Sequence, residues 1–203
     1  MTQLAEWIES ILTTLVRWGR RTAGRADVGQ FVRSQVLYVR ISPDWVSVRN
    51  VRTGQERGDV PEVVLSNGPG RRVMAVGIMA KPFSTGPLVT VVNPFLHPRS
   101  ILGDYRVADL LLRQFMLEVV PTRYAMLPCV VVIHPKVDPE GGFTEIEVRA
   151  LRELAMSIGA GTVIVWHGSD LEDAAVLSQV YPRTGLVLNS VSGYGGQASR
   201  FAS

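Results

Sequence analysis

The fold is decided by Pro128–Gly168, PCVVVIHPKVDPEGGFTEIEVRALRELAMSIGAGTVIVWHG. Cys129–Ile133 is a continuous apolar run, the pattern of a strand buried on both faces, and His134-Pro135 closes it. Thr144 followed by Glu147 makes a capping box for a helix over Glu145–Ile158. Gly159 or Gly161 ends that helix, and Val163–Trp166 is the next buried strand. A strand, a helix and a strand in this order imply a parallel crossover and an α/β sheet. The second strand ends in Trp166-His167-Gly168, with no carboxylate at its tip.

Upstream, Val36–Ile41 and Trp45–Arg49 are β-rich runs separated by the turn signal Ser42-Pro43-Asp44. Val60–Leu65 is expected as the third strand of an antiparallel meander. Val73–Ala80 is apolar and ends at Lys81-Pro82, and the Pro- and Gly-rich segment Phe83–Pro98 is expected to loop over the surface. Asp104 is placed as N-cap of a helix from Tyr105 to about Val119, stopped by Pro121. Downstream, Ser169 with Glu172 reads as a second capping box for a helix to about Val180. Leu186–Leu188 is a last short strand, and the Gly/Ser-rich tail 190–203 is expected to be disordered. These features divide the chain into 1–27, a helix and basic linker; 28–189, one domain; and 190–203, the tail.

In the N-terminal segment, Leu4, Trp7, Ile8, Ile11, Leu12, Leu15 and Trp18 fall on one face of a helix over residues 3–18. Arg17, Arg20, Arg21 and Arg25 cluster at its C-terminal end, where cations suit the helix dipole. Two fates are open to such a helix. It can lie in an anionic membrane interface, each arginine contributing about 1 kcal/mol. It can equally pack its stripe on this domain or on a partner helix.

The chain has 203 residues, 46% hydrophobic and 19% charged, with a net charge of +3. Its arginines are dispersed and no aromatic-basic cluster accompanies them, so a nucleic-acid partner is not expected. A single cysteine, Cys129, excludes an internal disulfide framework and fits a reducing compartment. No run is long and apolar enough to span a bilayer, and Glu6 and Glu9 precede the arginines, unlike a secretory signal. The expected location is the cytoplasm, with the N-terminal helix leaving a peripheral membrane position open. His97, His134 and His167 match no metal-ligand spacing, and each is expected to cap a strand end or sit in a loop.

Several segments, in order, resemble the N-terminal lobe of the bacterial actin family MreB. VPEVVLS (Val60–Ser66) resembles the third strand of that family and AVGIMAK (Ala75–Lys81) its "VG, two residues, AK" segment. NPFLHPRSILGDYRVADLLLRQF (Asn93–Phe115) resembles the stretch ending in the long helix of the lobe. IEVRALRELAMSIGAGTVIVW (Ile146–Trp166) resembles the family's "ERRAIRESA…GA" helix and strand. The resemblance implies a single actin-like, ribonuclease-H-like lobe. Such a lobe has an antiparallel three-strand meander, parallel strands and helices on both faces, here preceded by the amphipathic helix. Some MreB proteins bind membrane through such a helix.

The same resemblance exposes departures. Where the family has an Asp-Leu-Gly-Thr phosphate loop, this chain has Arg40-Ile41-Ser42-Pro43, without the aspartate and with a proline that lacks an N–H. The acidic pair of the family is replaced by His167-Gly168, and the chain stops where the second lobe would begin. Thr184–Asn189 is read as a remnant of that lobe's first strand, without its glycine loop. Phosphoryl transfer needs phosphate loops, a metal and a positioned water, so ATP hydrolysis and a bound cofactor are not expected. The resemblance therefore implies a non-catalytic, membrane-associated interaction module, with a full-length MreB-type filament, cell-shape machinery or a second copy as partner. Glu145, Arg149 and Arg152, on a charged helix face with Glu147 and Glu153, are then a solvated surface or a protein contact. Two alternatives remain: an ATP-binding half-site completed in trans, and a small hydrolase in which His167 joins Ser169 and Asp170.

Overall fold

The computed structural model describes residues 34–68, 70–83, 87–121 and 127–188. The expected amphipathic helix, its linker and the tail lie outside these residues. The described strands are β1 (Val36–Ile41), β2 (Val46–Asn50), β3 (Glu56–Asp59), β4 (Val63–Ser66), β5 (Val73–Val76), β6 (Val89–Val92), β7 (Cys129–Pro135), β8 (Ala160–His167) and β9 (Leu186–Val187). The helices are α1 (Tyr105–Val119), α2 (Glu145–Ser157) and α3 (Asp173–Ser178), with a 3-10 stretch at Gly77–Phe83.

A six-stranded mixed sheet has the order β3-β2-β1-β7-β8-β9. β1, β7 and β8 are mutually parallel, and β2, β3 and β9 complete the sheet in antiparallel fashion. Period-2 alternation sends successive side chains to opposite faces. Leu37, Val39, Ile41, Val131, Ile133, Val163 and Val165 share one core with Leu111, Leu112 and Phe115 of α1 and Leu151 and Leu154 of α2. Val36, Tyr38, Val130, Val132, Ile164 and Trp166 form the other face, packed with Leu171 and with Val176 of α3. Helices therefore cover both faces of the central parallel strands. Removing a buried leucine such as Leu111 would cost about 2–5 kcal/mol through lost transfer energy and the cavity left behind.

The helix caps follow local sequence. Val107 N–H donates to Asp104 Oδ1 at 3.1 Å. Thr144 Oγ1 accepts from Glu147 N–H at 3.3 Å, while Glu147 Oε2 accepts from Thr144 N–H at 3.0 Å. Gly159, at φ +100, takes the left-handed conformation that stops α2.

Three elements differ from the sequence expectation. The third strand of the meander is Glu56–Asp59, whose polar side chains hid it from a search for apolar alternation. The Val60-Pro61 step then carries the chain out of this sheet, and Val63–Ser66 becomes the middle strand of a second sheet, β5-β4-β6. Val89–Val92, expected to loop, is the third strand of that sheet; the flanking prolines masked a short β-branched run. Finally, Ser169 does not cap α3. Its hydroxyl bonds Thr184 Oγ1 at 2.9 Å, and Glu172 is the N-cap by position without a side-chain bond.

Candidate functional site

Ligands of open α/β sheets gather at the C-terminal ends of parallel strands. Here those ends bring together the β1–β2 turn, the end of β7 at His134-Pro135 with Lys136 after it, and the end of β8 at His167 with Gly168 after it. Arg40, the penultimate residue of β1, donates from Nε to Ser47 Oγ at 3.1 Å and forms an ion pair with Glu56. Ser42 turns inward: its hydroxyl donates to Trp45 O and accepts from Trp45 N–H, both at 2.9 Å. The Pro43 carbonyl accepts from Asn93 Nδ2 at 2.8 Å, tying the turn to the end of β6. This hairpin is thus cross-bonded by its own side chains.

At the tip of β8, His167 stacks edge-on against Phe143, with ring centroids 5.2 Å apart. Its Nε2 lies 3.5 Å from Asp138 Oδ1, and its buried Nδ1 has no partner among the described residues. The hydrolase constellation is not assembled: Ser169 bonds Thr184, and Asp170 lies 3.3 Å from Lys136 Nζ. No described group of His, Cys, Asp and Glu is arranged to hold a metal ion.

His134 sits at the end of β7, where it was expected to close the strand, but it is buried and not in a loop. It is 1% exposed, inside β7, with Nδ1 at 2.6 Å from Tyr38 Oη and Nε2 at 3.1 Å from Gly168 O. Burial, and then the Lys136 charge, lower its pKa to about 4, so the imidazole is neutral. Burial likewise raises Tyr38 to about 12.

Beside this pair opens a cleft of about 550 Å³, lined chiefly by Tyr38, Arg40, Arg49, Glu56, Glu172 and Asp173. Arg49 reaches Asp173 with both Nε (3.0 Å) and Nη2 (2.7 Å), the planar fork that suits a carboxylate. That bond holds Asp173 below the usual carboxylate range. Sequence inspection did not find this cleft. Its only trace is the alternation that puts Tyr38 and Arg40 on one face of β1.

On the charged helix face, Arg149 pairs with Glu153 at 3.0 Å in an i,i+4 contact. Arg152 instead reaches the Val163 carbonyl at 3.4 Å, and Glu147 serves the capping box. Glu145 and Arg149 are exposed, whereas Arg152 is half-buried against β8. No described helix is long and apolar enough to cross a membrane.

No protein-family model matches the chain, and no curated protein matches it. Among solved structures it is similar to MreB5 of Spiroplasma citri bound to AMPPNP, at 20% identity and a TM-score of 0.53. It is also similar to MreB5 of the same organism bound to ADP, at 21% identity and a TM-score of 0.50. Each match covers 66% of this chain and 38% of the other, so the chain spans well under half the length of those proteins. The mixed sheet and its parallel strands thus have an actin-like fold.

Proposed function

We propose that this chain is a non-catalytic lobe of the MreB type, corresponding to the N-terminal half of the family's fold, that acts by binding other proteins. Residues 1–27 hold it at an anionic membrane surface, and its partner is a bacterial actin filament or the cell-shape machinery. The observation that carries this reading is the β1–β2 turn. Its Ser42 hydroxyl closes on Trp45, its Pro43 has no N–H, and its Arg40 is engaged by Glu56 and Ser47. A triphosphate needs free donors at that position, so the residues present do not fit it. The missing acid at His167-Gly168 supports the same reading.

Calorimetry with Mg-ATP and Mg-AMPPNP is the test, and no binding heat is expected. Micromolar, Mg²⁺-dependent binding would overturn the proposal in favour of an ATP half-site completed by a partner lobe. The likeness to MreB5 bound to AMPPNP and to ADP is what keeps that second reading in view. Co-sedimentation with vesicles rich in phosphatidylserine tests the membrane role: full-length chain should pellet at low salt, and a chain lacking 1–27 should not.

A further inference from the structure

Four described strands are sheet edges: β3 and β9 in the large sheet, β5 and β6 in the small one. An open edge presents unpaired N–H and C=O groups and recruits another strand unless it is blunted. Three of these edges are blunted. β3 is charged, with Glu56 bound to Arg40 and Arg49, and Arg57 to Asp59 and Glu118. β9 is only two residues long. In β5 the register passes from Val64–Ala75 to Leu65–Val73, leaving Met74 bulged, and Arg71-Arg72 precedes the strand.

β6 carries none of these devices. Val89-Thr90-Val91-Val92 is β-branched throughout and pairs with β4 in unbroken register. No Asp, Glu, Lys or Arg occurs from Pro82 to Pro98. The ladder also identifies the main-chain groups of β6 left unpaired among the described residues. Asn67 N–H donates to Leu88 O at 2.7 Å, so Asn67 and Leu88 are a hydrogen-bonded pair. Antiparallel alternation then turns the main chain of Thr90 and Val92 toward β4 and that of Val89 and Val91 outward.

We propose that β6 is a self-association strand: two copies of this chain pair antiparallel along β6 about a two-fold axis at Thr90. The two three-stranded sheets become one. Val89 of each copy faces Val91 of the other as a hydrogen-bonded pair, and the two Thr90 residues form the close, non-hydrogen-bonded pair between them. Leu88, 75% exposed in the single chain, falls opposite Val92. A second copy suits this edge because the strand brings no charge against itself. Pro87 also falls opposite Asn93, so a residue without an N–H ends the pairing where the strand ends. Pairing over so short a strand buries less area than a stable interface needs, so the dimer is weak and concentration-dependent. The inference is independent of the nucleotide and membrane readings.

Sedimentation velocity of the full chain, from low micromolar to submillimolar, should show a shift from monomer to dimer. Val91→Pro removes an outward N–H and spares the β4 ladder, so it should restore the monomer. Thr90→Cys supplies a readout that does not depend on that variant folding. Across the two-fold the paired Cα atoms are about 4.5 Å apart, within disulfide range. Under mild oxidation it should cross-link on the order of tenfold faster than Val73→Cys on the blunted β5 edge. Cys129 is buried and does not compete. Equal cross-linking rates for the two cysteine variants would overturn the proposal, as would a dimer that persists in a folded Val91→Pro chain.

Discussion

The Tyr38 hydroxyl lies 2.6 Å from His134 Nδ1, and the surrounding bonds fix which atom donates. Leu171 N–H donates to Tyr38 Oη at 3.2 Å, so the hydroxyl is free to direct its own proton at Nδ1. The Gly168 carbonyl, 3.1 Å from Nε2, can only accept, so the imidazole carries its proton on Nε2. A neutral histidine satisfies every member of this chain. An imidazolium would bring a second proton to Nδ1, where the tyrosine already donates.

Stability should therefore fall as pH drops from about 6.5 to about 4. The His134 pKa is lowered to about 4 by burial first and Lys136 second, with His167 acting the same way; Gly168 and Asp170 oppose the shift. Between the unfolded and folded pKa values the unfolded chain binds more protons, so its contribution is complete above 6.5 and is lost toward pH 4. The loss should be on the order of 2–3 kcal/mol. Urea unfolding at pH 7.5, 6 and 5 measures it. A His134→Met chain should show a flatter profile than the parent, and identical profiles would refute the assignment.

Tyr38→Phe separates the hydrogen bond from burial. It leaves Leu171 N–H and His134 Nδ1 without a partner inside the core. It should destabilise by about 1–3 kcal/mol at pH 7.5. It should also weaken the pH dependence, because the imidazolium no longer meets a donating hydroxyl. A pH profile parallel to that of the parent chain would mean that Tyr38 contributes packing alone.

Gly77 joins the two sheets. It sits at φ +69, and a Cβ there would overlap the Asp59 carboxylate. Asp59 cannot move aside easily: it accepts from Val60 N–H (2.8 Å), Ile78 N–H (2.9 Å) and Arg57 Nη2 (2.8 Å) while 6% exposed. Gly77→Ala combines left-handed strain with loss of these bonds and should cost about 2–4 kcal/mol. A change within 0.5 kcal/mol, roughly the range of surface substitutions, would show that the junction yields without penalty.

What could be read from the sequence were features carried by neighbours. The apolar runs of β7 and β8 announce strands buried on both faces. Asp104 and Thr144 announce caps because the atoms they bind lie three residues away. β3 was missed because its polar side chains are neutralised by Arg40, Arg49 and Glu118, which lie elsewhere in the chain. Tyr38 and His134 are separated by 96 positions, and only the β1–β7 register brings them together. Ser169 looked like a local cap, but a tertiary contact with Thr184 outcompeted it. Resemblance to a family singled out Arg40, Ser42 and His167; the partners that define their chemistry came from the fold.

The contact between Gly185 and Trp166 gives the last prediction. The strand expected as a remnant of a second lobe folds back antiparallel on β8, pairing Val187 with Trp166 and Leu186 with His167. A Cβ at Gly185 would overlap both the Trp166 ring and the His167 carbonyl. That ring cannot yield, because its Nε1–H is bound to Ser169 O at 2.8 Å and its face stacks on Tyr181 at 5.5 Å. Gly185→Ala should therefore lift β9 from the sheet while leaving the parallel core folded. The signal is the Leu188 amide, which donates to Val165 O at 2.7 Å. Its hydrogen exchange should accelerate on the order of tenfold or more, as expected for a local opening, with Val131 and Ile133 unchanged. Unchanged exchange at Leu188 would mean that β9 holds its place without the glycine. Exchange accelerated equally at Val131 would make β9 part of the cooperative core rather than a separable edge.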